Sequence, residues 1–142
     1  MKNALPDRTG WLIEPLASLP AEPPFPELTD FEHQALRDIA ELFESGANDF
    51  LSQVAFARVV DRVNTSVGFY TRVAVDRALC RPLPINRKGA HFEVAGLSLG
   101  LGIVLWDDGG YLRTIEGYTC EDSPLEGRAL ASLTYRRLVQ LG

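Results

Sequence analysis

The chain has little cysteine, with Cys80 and Cys120 alone among 142 residues. A disulfide framework is therefore not what stabilises it, and two reduced thiols are expected in a chain without an export signal. It also lacks any apolar run near the roughly 18–20 residues that span a bilayer. Met1 to Gly10 shows no basic region followed by an apolar one, so no membrane partner and a cytoplasmic location are expected. Lysine and arginine are scarce, 14 against 19 Asp and Glu for a net charge of -5, and they do not cluster with aromatics. Little is available to neutralise phosphates, which argues against nucleic acid. With only His33 and His91, and no C-x-x-C or H-x-x-x-H spacing, neither a metal nor a cofactor is expected.

What is present reads as one α+β domain, a size at which roughly 68–70% of the unfolded chain's surface is buried. Six of the nine prolines fall within residues 1–26, where a missing N–H and a fixed φ oppose helix and central strand. Residues 1–27 are thus expected to form a Pro-rich arm ahead of a domain at 28–142. Its apolar Trp11, Leu12, Ile13, Leu16 and Phe25 suit an extended segment docked on the domain. Charge is uneven: residues 1–56 carry 10 acidic and 3 basic side chains, and residues 57–142 carry 9 and 11.

Thr29 followed by Glu32 predicts a capping box, and Phe31, Leu36, Ile39 and Phe43 recur at helical spacing, with Gly46 as the expected stop. A short turn over Asn48 to Gln53, anchored by Phe50 and Leu51, follows. From Val54 the period changes to two. Phe56 to Val63 and Val67 to Val75 read as strands joined at Asn64-Thr65-Ser66, and residues 80–90 form a loop before a third strand at His91 to Leu97. Leu101 to Trp106 is apolar on both faces, as a central strand requires. It pairs with Tyr111 to Tyr118 across a four-residue connection, Asp107-Asp108-Gly109-Gly110. Ala129 to Val139 fits helix and edge strand about equally, and Thr134-Tyr135 tips it to strand. The expected architecture is a principal helix packed on an antiparallel sheet of five to six strands.

Gly96-Leu97-Ser98-Leu99-Gly100 matches G-x-S-x-G, yet a strand rather than a helix follows and both histidines precede the serine, so a Gly-rich bend is the better reading. Asp107-Asp108-Gly109 lacks the alternating ligands of a calcium loop. The residue that stands out is Glu116. On a strand it shares a face with Leu112, Thr114 and Tyr118, and a partly buried carboxylate needs a partner. Arg62, Arg72 or Arg58 could supply a structural ion pair; a ligand-reading carboxylate or a general acid or base is the alternative. Tyr70, Trp106 and Tyr111 are candidate contact aromatics, Trp106 and Tyr111 being also a candidate cross-strand pair.

Two segments carry a resemblance. Asp61-Arg62-Val63-Asn64-Thr65-Ser66-Val67-Gly68-Phe69-Tyr70-Thr71 and the stretch Gly102 to Thr119 resemble a family of small uncharacterised bacterial proteins. That family has an R-x-x-T-G-V-G-F-like segment and a D-G-x-L-x-x-L-E-x-Y-like hairpin. Arg62, Thr65, Gly68 and Phe69 match the first motif, and Gly110, Leu112, Glu116 and Tyr118 the second. Ser66 stands where the family has Gly, and the Asp107 to Gly110 turn is one residue longer. The resemblance implies a hairpin-rich fold and an Arg62–Glu116 pairing, and no particular activity.

The candidate binding residues are thus Arg62, Tyr70, Arg72, Trp106, Tyr111, Glu116 and Tyr118, with no catalytic set. A small protein-binding module, of an immunity or toxin-neutralising kind, is the first expectation, because an acidic surface suits a basic partner. A small-ligand binder or enzyme using Glu116 with Arg62 or Arg72, and a structural homodimer, are the alternatives.

Overall fold

The computed structural model describes residues 14–142. Three helices, α1 (Glu14–Ser18), α2 (Asp30–Ile39) and α3 (Ala47–Ala55), accompany one six-stranded sheet. Its strands are β1 (Ala57–Asn64), β2 (Gly68–Val75), β3 (Gly89–Val94), β4 (Leu97–Asp108), β5 (Tyr111–Tyr118) and β6 (Tyr135–Leu141). They lie in the order β1-β2-β5-β4-β3-β6, and every neighbouring pair is antiparallel. The fold is α+β, as the alternation of residues predicts.

The α2 capping box forms: Glu32 N donates to Thr29 Oγ1 at 3.0 Å and Thr29 N to Glu32 Oε1 at 2.8 Å. Phe31, Ala35, Leu36 and Ile39 are buried against the sheet, while the adjoining face of α3 contributes Phe50 and Val54. Phe31 meets Phe92 edge-on at 5.9 Å, and Phe43 stacks on Phe50 at 4.8 Å. Each such fully buried side chain contributes about 1.5–3 kcal/mol. Leu51, expected as an anchor, points outward. Gly46 does not end α2, which tightens into a 3₁₀ turn at Ala40–Leu42; with φ +97° it is instead the N-cap of α3. Phe56 closes α3 and is exposed rather than opening β1.

Prolines do not keep the arm free of helix, since Pro15 sits in the first turn of α1, where its missing N–H costs nothing. Trp11, Leu12 and Ile13 lie outside the described residues. Further along, the arm docks on the outer edge of β1: Ala21 bridges Val63, Glu22 N donates to the Arg62 carbonyl at 2.7 Å, and Val59 N to the Pro26 carbonyl at 2.7 Å.

Two irregularities decide which side chains share a face. The β4–β5 connection is shorter than expected, because Asp108 pairs with Tyr111 and only Gly109 and Gly110 turn, with φ of +63° and +91°. Both central residues at positive φ are what a type I′ turn requires. Next, Trp106 pairs with Thr114 but Asp107 with Leu112, so Arg113 is an extra, bulged residue. A one-residue slip sends side chains to the opposite face. Leu112 therefore enters the core, and the shared face expected of Leu112 with Thr114 and Glu116 does not exist.

The C-terminal segment is the edge strand β6, paired to β3 with register breaks that leave Arg136 and Val139 unmatched. Tyr135, Leu138 and Leu141 consequently pack on the core at a spacing of three. That spacing is why the sequence reads about as well as helix. Gly96 lies in the β3–β4 turn with φ +84°, but Leu97 to Gly100 already belong to β4, so the G-x-S-x-G stretch is a turn running into a strand rather than a bend throughout, and no helix follows Ser98. Cys80 and Cys120 are both free, the first buried and the second exposed. Among the described residues no helix is long and apolar enough to cross a membrane.

Candidate functional site

Helices α2 and α3 cover one face of the sheet. Strand register places Tyr70 opposite Glu116, Arg72 opposite Thr114, Val104 opposite Glu116 and Trp106 opposite Thr114, all on the other face. At the β1 margin of that face, Asp61 and Val63 are wholly buried. Toward β4 it opens, and Tyr118 is 41% exposed with its ring laid over Gly102, where any Cβ would collide with it.

Glu116 is the centre of this group. Its Oε1 accepts from the Trp106 indole N–H at 2.9 Å and its Oε2 from the Tyr70 hydroxyl at 3.4 Å. The carboxylate is partly buried and held by neutral donors from two different strands. Burial pushes the Tyr70 hydroxyl above its usual pKa, and the negative charge of Glu116 adds to the shift. Among the described residues the ion pairs are Arg62–Glu32, Arg77–Asp108 and Arg137–Glu93, none of which includes Glu116.

Arg62 is not part of this face. It is fully buried on the helix side, where its Nε donates to Glu32 Oε2 at 3.0 Å and its Nη2 to Glu32 Oε1 at 2.7 Å. Its remaining N–H groups reach the carbonyls of Glu22, Pro24 and Glu27. The expected Arg62–Glu116 pair is thereby overturned: adjacent positions on β1 point to opposite faces, and Arg62 alternates inward opposite Thr71. A contact role for Arg62 falls with it. The true partner, Glu32, is visible in the sequence only as the third residue of a helix, and that signal is spent on the capping box.

Trp106 and Tyr111 are not a cross-strand pair, because the Arg113 bulge and the two-residue turn put Tyr111 opposite Asp108. Tyr111 instead lies under the Arg77 guanidinium at 4.5 Å, and Arg77 also holds Asp108 at 2.9 Å. Tyr70, Arg72, Trp106, Glu116 and Tyr118 therefore share one face; Arg62 lies on the other, and Tyr111 sits at the hairpin end beside Arg77. Sequence reasoning missed Val104 and Gly102 as part of that face; a glycine within an apolar strand was the available signal.

A trough of about 410 Å³ runs from Tyr118 and Val104 past His91 to Arg87 and Gln140. A larger one, about 740 Å³, continues along the β3–β4 bend to Leu99, Arg136 and Val139. The His91 ring nitrogen meets the Leu99 carbonyl at 2.9 Å, whereas Ser98 Oγ donates to Glu121 at 3.0 Å. The two side chains do not form a nucleophile–base pair. Comparison with protein-family models, curated proteins and solved structures returns no match to this chain, so its functional reading rests on the geometry of its own residues.

Proposed function

We propose that this chain is a small protein-binding module, of an immunity or toxin-neutralising kind, whose contact surface is the sheet face around Trp106, Glu116 and Tyr118. The observation that carries the reading is the arrangement of Trp106, Tyr70 and Tyr118 about one carboxylate on a rigid antiparallel sheet. Aromatic residues dominate binding energy at interfaces, and preorganisation lowers the cost of ordering them. A net charge of -5 favours a basic partner by steering and by complementarity. The test is capture from lysate by the wild-type chain beside Trp106→Ala and Tyr118→Ala. A stoichiometric protein retained by the first and lost by both variants supports the reading, and undiminished capture by both variants refutes it.

A second reading, a structural homodimer, has its own support. The β1 edge is covered by residues 21–26, whereas among the described residues no strand pairs with the outer edge of β6, which exposes Val139. Light scattering separates the two: a dimer abolished by Val139→Lys supports self-pairing, and a monomer at all accessible concentrations removes it.

A further inference from the structure

We infer that the Glu116 carboxylate is a receptor for a guanidinium group, the side chain of an arginine on the partner. The inference deepens the interaction reading above and rests on it for the source of that group.

A carboxylate withdrawn from water ordinarily acquires a cation from its own fold, as the buried Glu32 acquires Arg62. Glu116 does not. The protein provides it with two neutral donors, Trp106 on β4 and Tyr70 on β2, one to each oxygen. Those bonds fix the carboxylate's position without cancelling its charge. Among the described residues each oxygen accepts one hydrogen bond, and a carboxylate oxygen has acceptor capacity for another. Arg72, also on this face, stands opposite Thr114, two residues along β2 from Tyr70.

Guanidinium is favoured over ammonium for two reasons. Two oxygens held in a fixed orientation match the planar fork of an arginine, which can bond to both, whereas a lysine is a single strongly hydrated point charge. Flanking indole and phenol rings also favour a flat, weakly hydrated cation that can stack. The neighbouring trough past Tyr118 and Val104 gives a long side chain an approach across the sheet.

The test follows the Trp106 indole N–H by heteronuclear NMR, assigned with Trp106→Phe, while Nα-acetyl-arginine amide is added to the full chain. The lysine and citrulline amides serve as controls of equal charge and of equal shape without charge. The expected result is a saturable shift of the Trp106 resonance with the arginine probe, a weaker effect with lysine and none with citrulline. Glu116→Gln keeps an acceptor for the indole and removes the charge, and should weaken arginine binding about tenfold or more. No saturable shift in the wild type, an equal response to citrulline, or an unchanged response in Glu116→Gln would overturn the inference. The two readings fail separately. Partner capture that depends on Trp106 and Tyr118 but survives Glu116→Gln sinks the guanidinium site alone, whereas a titrating probe with no captured protein leaves the site and removes the partner.

Discussion

Arg62 and Glu32 face each other as a two-bond pair with almost no access to solvent, at 0% and 2% side-chain exposure. The pair is saturated on both sides. Glu32 accepts from Arg62 twice, from Thr29 N and from the Thr71 hydroxyl, while the Arg62 guanidinium also binds three carbonyls of the arm. One residue thus joins sheet, helix cap and arm. Arg62→Leu strands a buried carboxylate and should cost about 3–5 kcal/mol in denaturant unfolding. Arg62→Met with Glu32→Leu removes both charges and should recover part of the loss. Recovery stays incomplete because the arm carbonyls remain without donors, at about 1–3 kcal/mol for each one left buried. A single variant within about 1 kcal/mol of wild type would contradict this account.

Ser66 occupies the turn between β1 and β2 with φ +75°, in the left-handed region. The turn tolerates it because Ser66 N donates to Asn64 Oδ1 at 2.7 Å and its carbonyl accepts from Leu125 N at 2.9 Å. The backbone here has a shape that glycine adopts without strain. Ser66→Gly should be neutral or stabilising by up to about 1 kcal/mol, since relief of the left-handed strain outweighs the added freedom of the unfolded chain. Ser66→Val should destabilise by more than about 1 kcal/mol, a β-branched residue being poorly suited to positive φ. Thermal unfolding of both variants checks the order.

The elements that sequence pattern could reveal are those whose signal is local. The Thr29–Glu32 cap, the alternation through Phe69, Thr71 and Val73, and the double apolar run at Leu101 to Trp106 each report their own backbone. Partnerships across the sheet were less legible because they depend on register. A single bulged Arg113 moved Leu112 into the core and separated Tyr111 from Trp106, and nothing in residues 107–114 announces which position bulges. Glu116 was recognisable as an unusual carboxylate, but its neutral donors were not, since Tyr70 lies 46 positions away. Arg62 shows the opposite failure: its burial follows from strand alternation, yet its partner sits on a helix 30 positions earlier.

Tyr135 ties β6 to α2 through a hydrogen bond from its hydroxyl to Asp38. Burial first, and then that bond and the Asp38 charge, push its pKa from 10.0 up to about 12. The folded chain therefore holds the phenolic proton more tightly than the unfolded chain does. Stability from this group is fully present below pH 10 and is lost as the pH rises toward 12. Denaturation across that window should show a decline that Tyr135→Phe largely removes, and tyrosinate absorbance should show a late-titrating component that the same variant diminishes. An identical pH profile in Tyr135→Phe would exclude Asp38 and Tyr135 as its source.

Gln53 is a fully buried polar side chain on α3 and ties three separate segments together. Its amide nitrogen donates to the Arg81 carbonyl at 2.8 Å and to the Gly110 carbonyl at 2.9 Å, and its oxygen accepts from Leu112 N at 2.8 Å. The last contact matters most, because Leu112 follows the Gly109-Gly110 turn and lies beside the bulge that sets the register of β5. Gln53→Leu conserves much of the volume yet orphans a buried N–H. It should cost about 2–4 kcal/mol rather than the under 1.5 kcal/mol of a volume-conserving apolar swap. Gln53→Glu keeps the acceptor for Leu112 N but gives up the donors and buries a charge, so it too should destabilise, and less at acidic pH, where the protonated carboxyl can donate to one carbonyl again. Hydrogen exchange at Leu112 locates the effect. Faster exchange there in Gln53→Leu, with the β1–β2 amides unchanged, identifies a local anchor of the hairpin; uniform acceleration across the sheet would mean that Gln53 acts on global stability alone.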